Sequence, residues 1–170
     1  MPALFHYFLE LCLLRKGPQD LPGSAVLVQA LSLVYLAVGV VVGAAAGQGL
    51  LAALVQTLMD LGLLLGLLYL GLQWMGHPAR FLQAGAALLG SGALLSLMVL
   101  VPLGMAPAGE DAELRGLSAL LFMALLAWSV LVTGHILRLT LDLTLIQGAL
   151  IAVAYNLLAY TLLGALFTGA

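Results

Sequence analysis

Asp60 is an ionisable residue near the middle of a long apolar stretch, where it could take part in proton or ion chemistry. Gln56 precedes it by about one helical turn, and a later apolar stretch carries Asn156 at a similar depth. A charged carboxylate at a bilayer centre costs about 2.5–3.5 kcal/mol, so Asp60 must be paired, hydrated or protonated. We expect a neutral Asp60 to donate to Asn156 and fix how two helices dock. A proton or ion relay is the alternative, and the third apolar stretch offers it only Ser91 and Ser96.

A second polar group comprises His77, Arg80, His135 and Arg138. His135, Arg138 and Asp142 share one helix face, and the short loop with His77 and Arg80 lies at the same membrane level. The plain interpretation is a set of anchors and local ion pairs at the headgroup layer. A site for a lipid phosphate or an anionic partner is the second interpretation, since arginine matches phosphate geometry. Metal or haem ligation is disfavoured because the two histidines lack a third ligand.

Small residues recur every fourth position in the first long apolar stretch, at Gly39, Gly43 and Gly47. Gly62 and Gly66 repeat the spacing in the second stretch. Such helix faces allow backbones to approach closely. We expect them to pack inside one bundle; docking of a second copy or of a partner helix is the alternative.

The composition specifies lipid as the solvent. The chain of 170 residues is 64% hydrophobic and 7% charged, whereas soluble domains are about 25% charged. A net charge of −2 without a basic cluster excludes nucleic acid as a partner. The single cysteine, Cys12, excludes an intramolecular disulfide, and the sequence contains no nucleophile motif or phosphate-binding glycine loop. We therefore predict an integral membrane protein that is not an enzyme and holds no cofactor or metal.

Five stretches are long enough to cross the hydrocarbon core, which takes about 20 helical residues. Their continuous Leu- and Ala-rich composition favours helices over the alternating pattern of membrane barrels. The prediction is an all-α bundle of about five transmembrane helices in residues 24–170. The expected spans are Ser24–Ala46, Leu50–Trp74, Arg80–Met105, Gly116–Arg138 and Leu143–Phe167.

Residues 1–23 are predicted to form a short amphipathic interfacial helix followed by a hinge. Leu4, Phe8, Leu11 and Cys12 recur at helical spacing and define an apolar side. Two prolines and two glycines between positions 17 and 23 then stop the helix and turn the chain into the membrane.

The few cations predict the orientation. With five spans, Arg15, Lys16, Arg80 and Arg138 all fall on one side, and only Arg115 falls on the other. Cations concentrate on the cytoplasmic side of membrane proteins. The preference for Leu, Ala, Gly and Arg, with a single Lys, indicates a GC-rich and hence bacterial genome. We expect a cytoplasmic N-terminus and a periplasmic C-terminus in a bacterial inner membrane.

The layout resembles the Yip1-domain family of small five-span membrane proteins. The resemblance rests on the segment Leu14-Arg15-Lys16-Gly17-Pro18, the five closely spaced spans and the run Arg80-Phe81-Leu82-Gln83 at the start of the third. It implies a helical bundle that works through other membrane proteins or lipids and has no enzymatic activity.

The resulting functional hypothesis is an accessory or scaffolding subunit that contacts another integral membrane protein or its own copy. Two alternatives stay open. One is a small proton- or ion-coupled transporter or channel that uses Asp60. The other is a protein that binds anionic lipid or remodels the membrane through its cluster of histidines and arginines.

Overall fold

The computed structural model describes residues 2–105 and 112–167, and within these two ranges the regular structure is entirely helical. The all-α prediction is thereby confirmed. Single 3-10 turns at Pro18–Asp20 and Pro78–Arg80 interrupt two of the connections. The helices are α1 (Pro2–Cys12), α2 (Ala25–Ala45), α3 (Leu50–Trp74), α4 (Phe81–Met105), α5 (Ala112–Leu141) and α6 (Leu145–Phe167).

Helices α2 to α6 are long and apolar enough to cross a bilayer. They contain 21 to 30 residues. At about 1.5 Å per residue they measure about 31–45 Å, against about 30 Å of hydrocarbon. The prediction of five such helices is confirmed, and the chain is a membrane-embedded bundle. Helix α5 extends beyond the expected Gly116–Arg138 at both ends.

The two ends of the bundle are named after Arg80 and Gln48. The Arg80 end carries the loop before α4, the turn between α5 and α6, and the start of α2. The Gln48 end carries the loop between α2 and α3.

Helix α4 lies at the centre of the bundle and contacts α1, α2, α3 and α5. Half of its most apolar stretch is buried, against 6% for α3. The first half of α4 is rich in alanine and glycine, which lets neighbouring backbones approach closely. The buried residues of this half are Ala84, Gly85, Ala86, Ala87, Leu88, Leu89, Gly90 and Ser91.

Helix α1 packs against α4 with one side buried. Phe8 and Leu11 are buried, and the Phe8 ring lies so close over Gly90 that a methyl group at Gly90 would overlap it. Leu4, expected on the same side, is 41% exposed, and Tyr7 is buried instead. The apolar side of α1 therefore contacts protein, and Gly90 leaves the room for it.

Helix α5 also holds the N-terminal segment, through two backbone carbonyls. Trp128 Nε1 donates to the carbonyl oxygen of Cys12 at 3.0 Å. His135 Nε2 lies 3.1 Å from the carbonyl oxygen of Lys16. The N-terminal segment thus forms part of the bundle.

The glycines of α2 pack against α3. A Cβ at Gly39 would collide with Thr57, and a Cβ at Gly43 would lie 2.7 Å from the Cβ of Ala53. Gly47 follows the end of α2 with a φ of +85°, a conformation that glycine adopts without strain. The face of α2 at Gly39 and Gly43 is therefore covered by α3 within the bundle.

Two further pairs of glycines behave differently. Gly62 and Gly66 of α3 are exposed, and no described atom lies within 4 Å of where their Cβ atoms would be. Gly134 of α5 and Gly148 of α6 bring their helices into backbone contact: a Cβ at Gly134 would lie 2.8 Å from the Ala149 nitrogen. This second crossing was not predicted from the sequence.

Candidate functional site

Three polar side chains meet halfway along the bundle: Tyr35 of α2, Asp60 of α3 and Tyr155 of α6. Each lies ten residues after the first residue of its helix. That is about 15 Å from the helix end at about 1.5 Å per residue. In helices that cross about 30 Å of hydrocarbon, this is the middle of the membrane. These residues are called the Asp60 cluster.

Both tyrosines donate a hydrogen bond to the Asp60 carboxylate. The hydroxyl of Tyr35 lies 2.5 Å from Oδ2, and the hydroxyl of Tyr155 lies 2.7 Å from Oδ1. Both separations lie within the range of O–H···O hydrogen bonds. An ionised carboxylate only accepts hydrogen bonds, so the two hydroxyls satisfy both of its oxygens without supplying a positive charge.

The predicted hydrogen bond between Asp60 and Asn156 is wrong. The Asn156 amide donates to the carbonyl of Ala152, 2.8 Å away and one turn back on its own helix. The neighbouring Tyr155 has the longer side chain and reaches Asp60 instead. Tyr35 was missed as a partner of Asp60. The signal that identifies it is depth, because both residues lie equally far along their spans.

The Asp60 carboxyl group has no cationic side chain as a partner among the described residues. Within residues 2–105 and 112–167, the ion pairs join His6 and Lys16 to Glu10, or His77 and Arg80 to Asp142. None includes Asp60. A carboxylate at this depth is costly unless it binds a proton or a cation, or is hydrated.

A cavity of about 240 Å³ adjoins the cluster in the middle of the bundle. A single water molecule needs only about 10–15 Å³ of such space, so this central cavity has room for several. Its walls offer hydroxyl and amide groups that can bind water or a polar solute. The polar lining residues are Tyr35, Ser91, Ser96, Ser129, Thr133, Tyr155 and Asn156.

A second cavity, of about 640 Å³, extends from the Gln48 end towards the same depth. Its lining includes Gln48, Gln56 and Thr161. Gln56 lies four residues before Asp60 on α3. Asn156 lines both cavities. This side chain therefore stands between the Gln48-end cavity and the central cavity.

The group predicted at the headgroup level is divided in the structure. At the Arg80 end, Arg80 Nη1 lies 2.8 Å from Asp142 Oδ2 and donates to the Thr140 carbonyl at 2.9 Å. His77 Nε2 lies 3.4 Å from the same carboxylate oxygen. These three ionisable residues form a local ion-pair group that joins two loops.

His135 and Arg138 do not join that group. His135 is buried and faces the carbonyl of Lys16. Arg138 Nε is buried and makes no hydrogen bond with any described residue. The physical reason is the docking of α1, because the segment that follows it occupies the side of α5 that we expected to face the loop before α4.

Three residues of helix α1 have shifted pKa values: Tyr7, Glu10 and Cys12. Glu10 lies 2.7 Å from Lys16 Nζ, and the hydrogen bond from Lys16 holds the pKa of Glu10 below its usual value. Burial raises the pKa of the Cys12 thiol to about 11. Burial likewise raises the pKa of Tyr7 to about 12, and its hydroxyl donates to the Gly17 carbonyl at 2.5 Å. Cys12 is thus an unreactive thiol held against the bundle.

The part of the chain that the structure describes contains no group of three or more His, Cys, Asp or Glu side chains placed to hold a metal ion. No family model, curated protein or solved structure matches the chain. The resemblance to the Yip1-domain family therefore stays a prediction, and the case for function rests on the geometry of the Asp60 cluster.

Proposed function

We propose that the protein is a small proton- or cation-coupled transporter or channel in which Asp60 is the exchanging group. The observation that carries the proposal is a mid-membrane carboxylate that has no ion pair with the described residues. Two tyrosine hydroxyls hold it, and the cavities beside it have several polar wall residues. A carboxylate of this kind stores a proton or a monovalent cation. Release restores the negative charge that the hydroxyls of Tyr35 and Tyr155 stabilise.

Access to Asp60 is unequal from the two ends. The Gln48-end cavity reaches Gln56, which lies about one helical turn before Asp60 on α3. Towards the Arg80 end, Leu11, Leu89 and Ile136 are fully buried and carry no polar group. Asp60 therefore exchanges with the Gln48 side in this conformation, and movement of α1 or α4 is required for release to the other side.

Reconstitution in liposomes tests the proposal. A pH-sensitive dye inside the vesicles reports proton entry after an external acid step, with potassium and valinomycin present to clamp the membrane potential. Native protein is expected to conduct, and Asp60→Asn should abolish conduction because an amide cannot release a proton. Glu113→Gln, which neutralises an exposed acid at the start of α5, is the matched control and should conduct normally.

If Asp60 has only a structural role, Asp60→Asn should conduct protons as well as the native protein does. The amide of Asp60→Asn still hydrogen-bonds to the tyrosines, so the fold is retained in either case. Equal proton entry in empty vesicles and in vesicles with native protein contradicts proton transport. Vesicles without valinomycin that contain a sodium- or potassium-sensitive dye then test a cation as the transported species.

The location that we propose is a bacterial inner membrane, with the Arg80 end in the cytoplasm. Four of the five Lys and Arg residues belong to that end in a five-span topology, as expected from the preference of cations for the cytoplasmic side. A phosphatase reporter fused after residue 170 should be active, because that enzyme works only outside the cytoplasm. An inactive phosphatase and an active cytoplasmic reporter at the same position contradict this orientation.

A second candidate function is docking of another transmembrane helix, from a partner or a second copy. The open surroundings of Gly62 and Gly66 on an exposed face of α3 favour it, since such spacing suits close helix contact. Crosslinking in native membranes tests this function. Gly62→Leu and Gly66→Leu should remove a crosslinked product that Gly104→Leu, an open glycine on α4, leaves intact. A product unaffected by the two α3 variants contradicts docking there.

A further inference from the structure

A cavity at the Arg80 end lies between the N-terminal loop, the start of α4 and the end of α5. Its volume is about 320 Å³, comparable with the smaller ligand pockets of proteins, which begin at about 300 Å³. Two of its wall residues carry opposite charges, Arg80 and Asp142. The full lining comprises Pro18, Gln19, Arg80, Gln83, Ala84, Leu139, Thr140 and Asp142.

Arg80 retains unused hydrogen-bonding capacity in this cavity. Its Nη1 donates to the carbonyl of Thr140 and to Asp142 Oδ2. A guanidinium has five N–H donors in a planar fork. Among the residues that the structure describes, Nε and Nη2 of Arg80 have no acceptor. Two neighbouring donors of this kind fit two oxygens of one phosphate.

Asp142 supplies a free acceptor beside these donors. Its Oδ2 faces both Arg80 and His77, whereas its Oδ1 accepts no hydrogen bond from the described part of the chain. Asp142 follows the last residue of α5 with a φ of +55°, where glycine or asparagine is usual. An aspartate at this position puts a carboxylate in the cavity wall.

The cavity lies where two long apolar helices end, the level at which we expect the lipid headgroups. Arg80 immediately precedes α4 and Asp142 immediately follows α5, so both mark the ends of membrane-spanning helices. Trp74, the last residue of α3, is 93% exposed at the same end. Exposed tryptophan is typical of the interfacial belt of membrane proteins.

We propose that this cavity binds the phosphoethanolamine headgroup of a zwitterionic phospholipid. The phosphate oxygens accept from Nε and Nη2 of Arg80, and the primary ammonium donates to Oδ1 of Asp142. One positive and one negative side chain balance in the wall, which matches a zwitterion. An anionic headgroup would add an uncompensated negative charge, and a phosphocholine headgroup has no N–H to offer Asp142. The proposal is independent of any transport through Asp60.

Native mass spectrometry of the purified protein from nanodiscs with equal amounts of phosphatidylethanolamine, phosphatidylcholine and phosphatidylglycerol tests the site. Phosphatidylethanolamine should be the lipid retained. Arg80→Gln and Asp142→Asn should each lower its retention about tenfold, which corresponds to about 1.4 kcal/mol. Arg15→Gln removes an exposed cation outside the cavity and should leave retention unchanged.

A third variant, Arg80→Lys, keeps the positive charge but loses the planar fork of donors. It tests the proposal on its own if the other two variants fail to fold. Its retention of phosphatidylethanolamine should fall below that of the native protein. Soluble phosphoethanolamine in excess should displace the lipid, because the headgroup carries the recognition. Retention of phosphatidylglycerol or phosphatidylcholine at the level of phosphatidylethanolamine overturns the proposal. So does unchanged retention in Arg80→Lys, or a lipid that soluble phosphoethanolamine cannot displace.

Discussion

Removing the hydroxyl of Tyr155 should destabilise the bundle by an amount that reports the charge on Asp60. Tyr155→Phe deletes the donor that lies 2.7 Å from Asp60 Oδ1 and leaves that oxygen without a described partner. A hydrogen bond to a charged group contributes about 1.5–3 kcal/mol, whereas neutral hydrogen bonds between membrane helices average about 0.6 kcal/mol. We expect a loss of about 1.5–3 kcal/mol in the free energy of unfolding.

A double-mutant cycle with Asp60→Asn isolates the interaction. In the Asp60→Asn background the same Tyr155→Phe change should cost about 0.6 kcal/mol, because only a neutral hydrogen bond is lost. Reversible unfolding in bicelles, followed by steric trapping, measures all four proteins. Tyr160→Phe is the matched control, since Tyr160 is 79% exposed on the same helix and should change stability little.

Equal costs of Tyr155→Phe in the two backgrounds would refute the reasoning. The coupling between the hydroxyl and the carboxylate would then be absent, and Asp60 would not be a charged acceptor held by Tyr155. A cost close to 0.6 kcal/mol in both backgrounds would identify Asp60 as permanently neutral and remove the basis for an exchanging group.

Three other results follow from the packing and the cavities. Gly90→Leu should displace α1, because its side chain would overlap the Phe8 ring, and protease sensitivity of the N-terminal segment should rise; an unchanged digestion pattern would contradict the docking. Cys12 should react slowly with maleimide in the folded protein at neutral pH, with the rate rising as pH approaches about 11, the pKa of the buried thiol; rapid labelling at neutral pH would show that α1 is undocked. Asn156→Leu should slow proton entry by placing an apolar side chain between the two cavities, and unchanged entry would exclude this route.

Composition and span length predicted the membrane-embedded helical bundle because lipid imposes both requirements on the residues themselves. A helix needs about 20 apolar residues to cross, and this demand is visible in any single segment. The depth of Asp60 followed from the same counting. The hydrogen-bond partners of Asp60 could not be predicted by counting, because side-chain pairing depends on the rotation of each helix about its axis. Tyr155 and Asn156 point in directions about 100° apart around the axis of α6.

The docking of α1 was the other feature beyond the reach of sequence patterns. An apolar side at helical spacing suits a lipid surface and a protein groove equally. The choice depends on Gly90, which is far away in the sequence and leaves space for Phe8. The same docking separates His135 from Arg80 and thereby divides the cluster that the spacing had suggested.

Infrared difference spectroscopy of the protein in liposomes measures the protonation of Asp60 itself. A carboxyl C=O band should appear as the pH on the Gln48 side is lowered, and Asp60→Asn should remove it, because proton exchange at this carboxylate is what the proposed function requires. A band that is absent at every pH, or one that persists in Asp60→Asn, would contradict an exchanging role for Asp60 and leave the cluster as a tie between α2, α3 and α6.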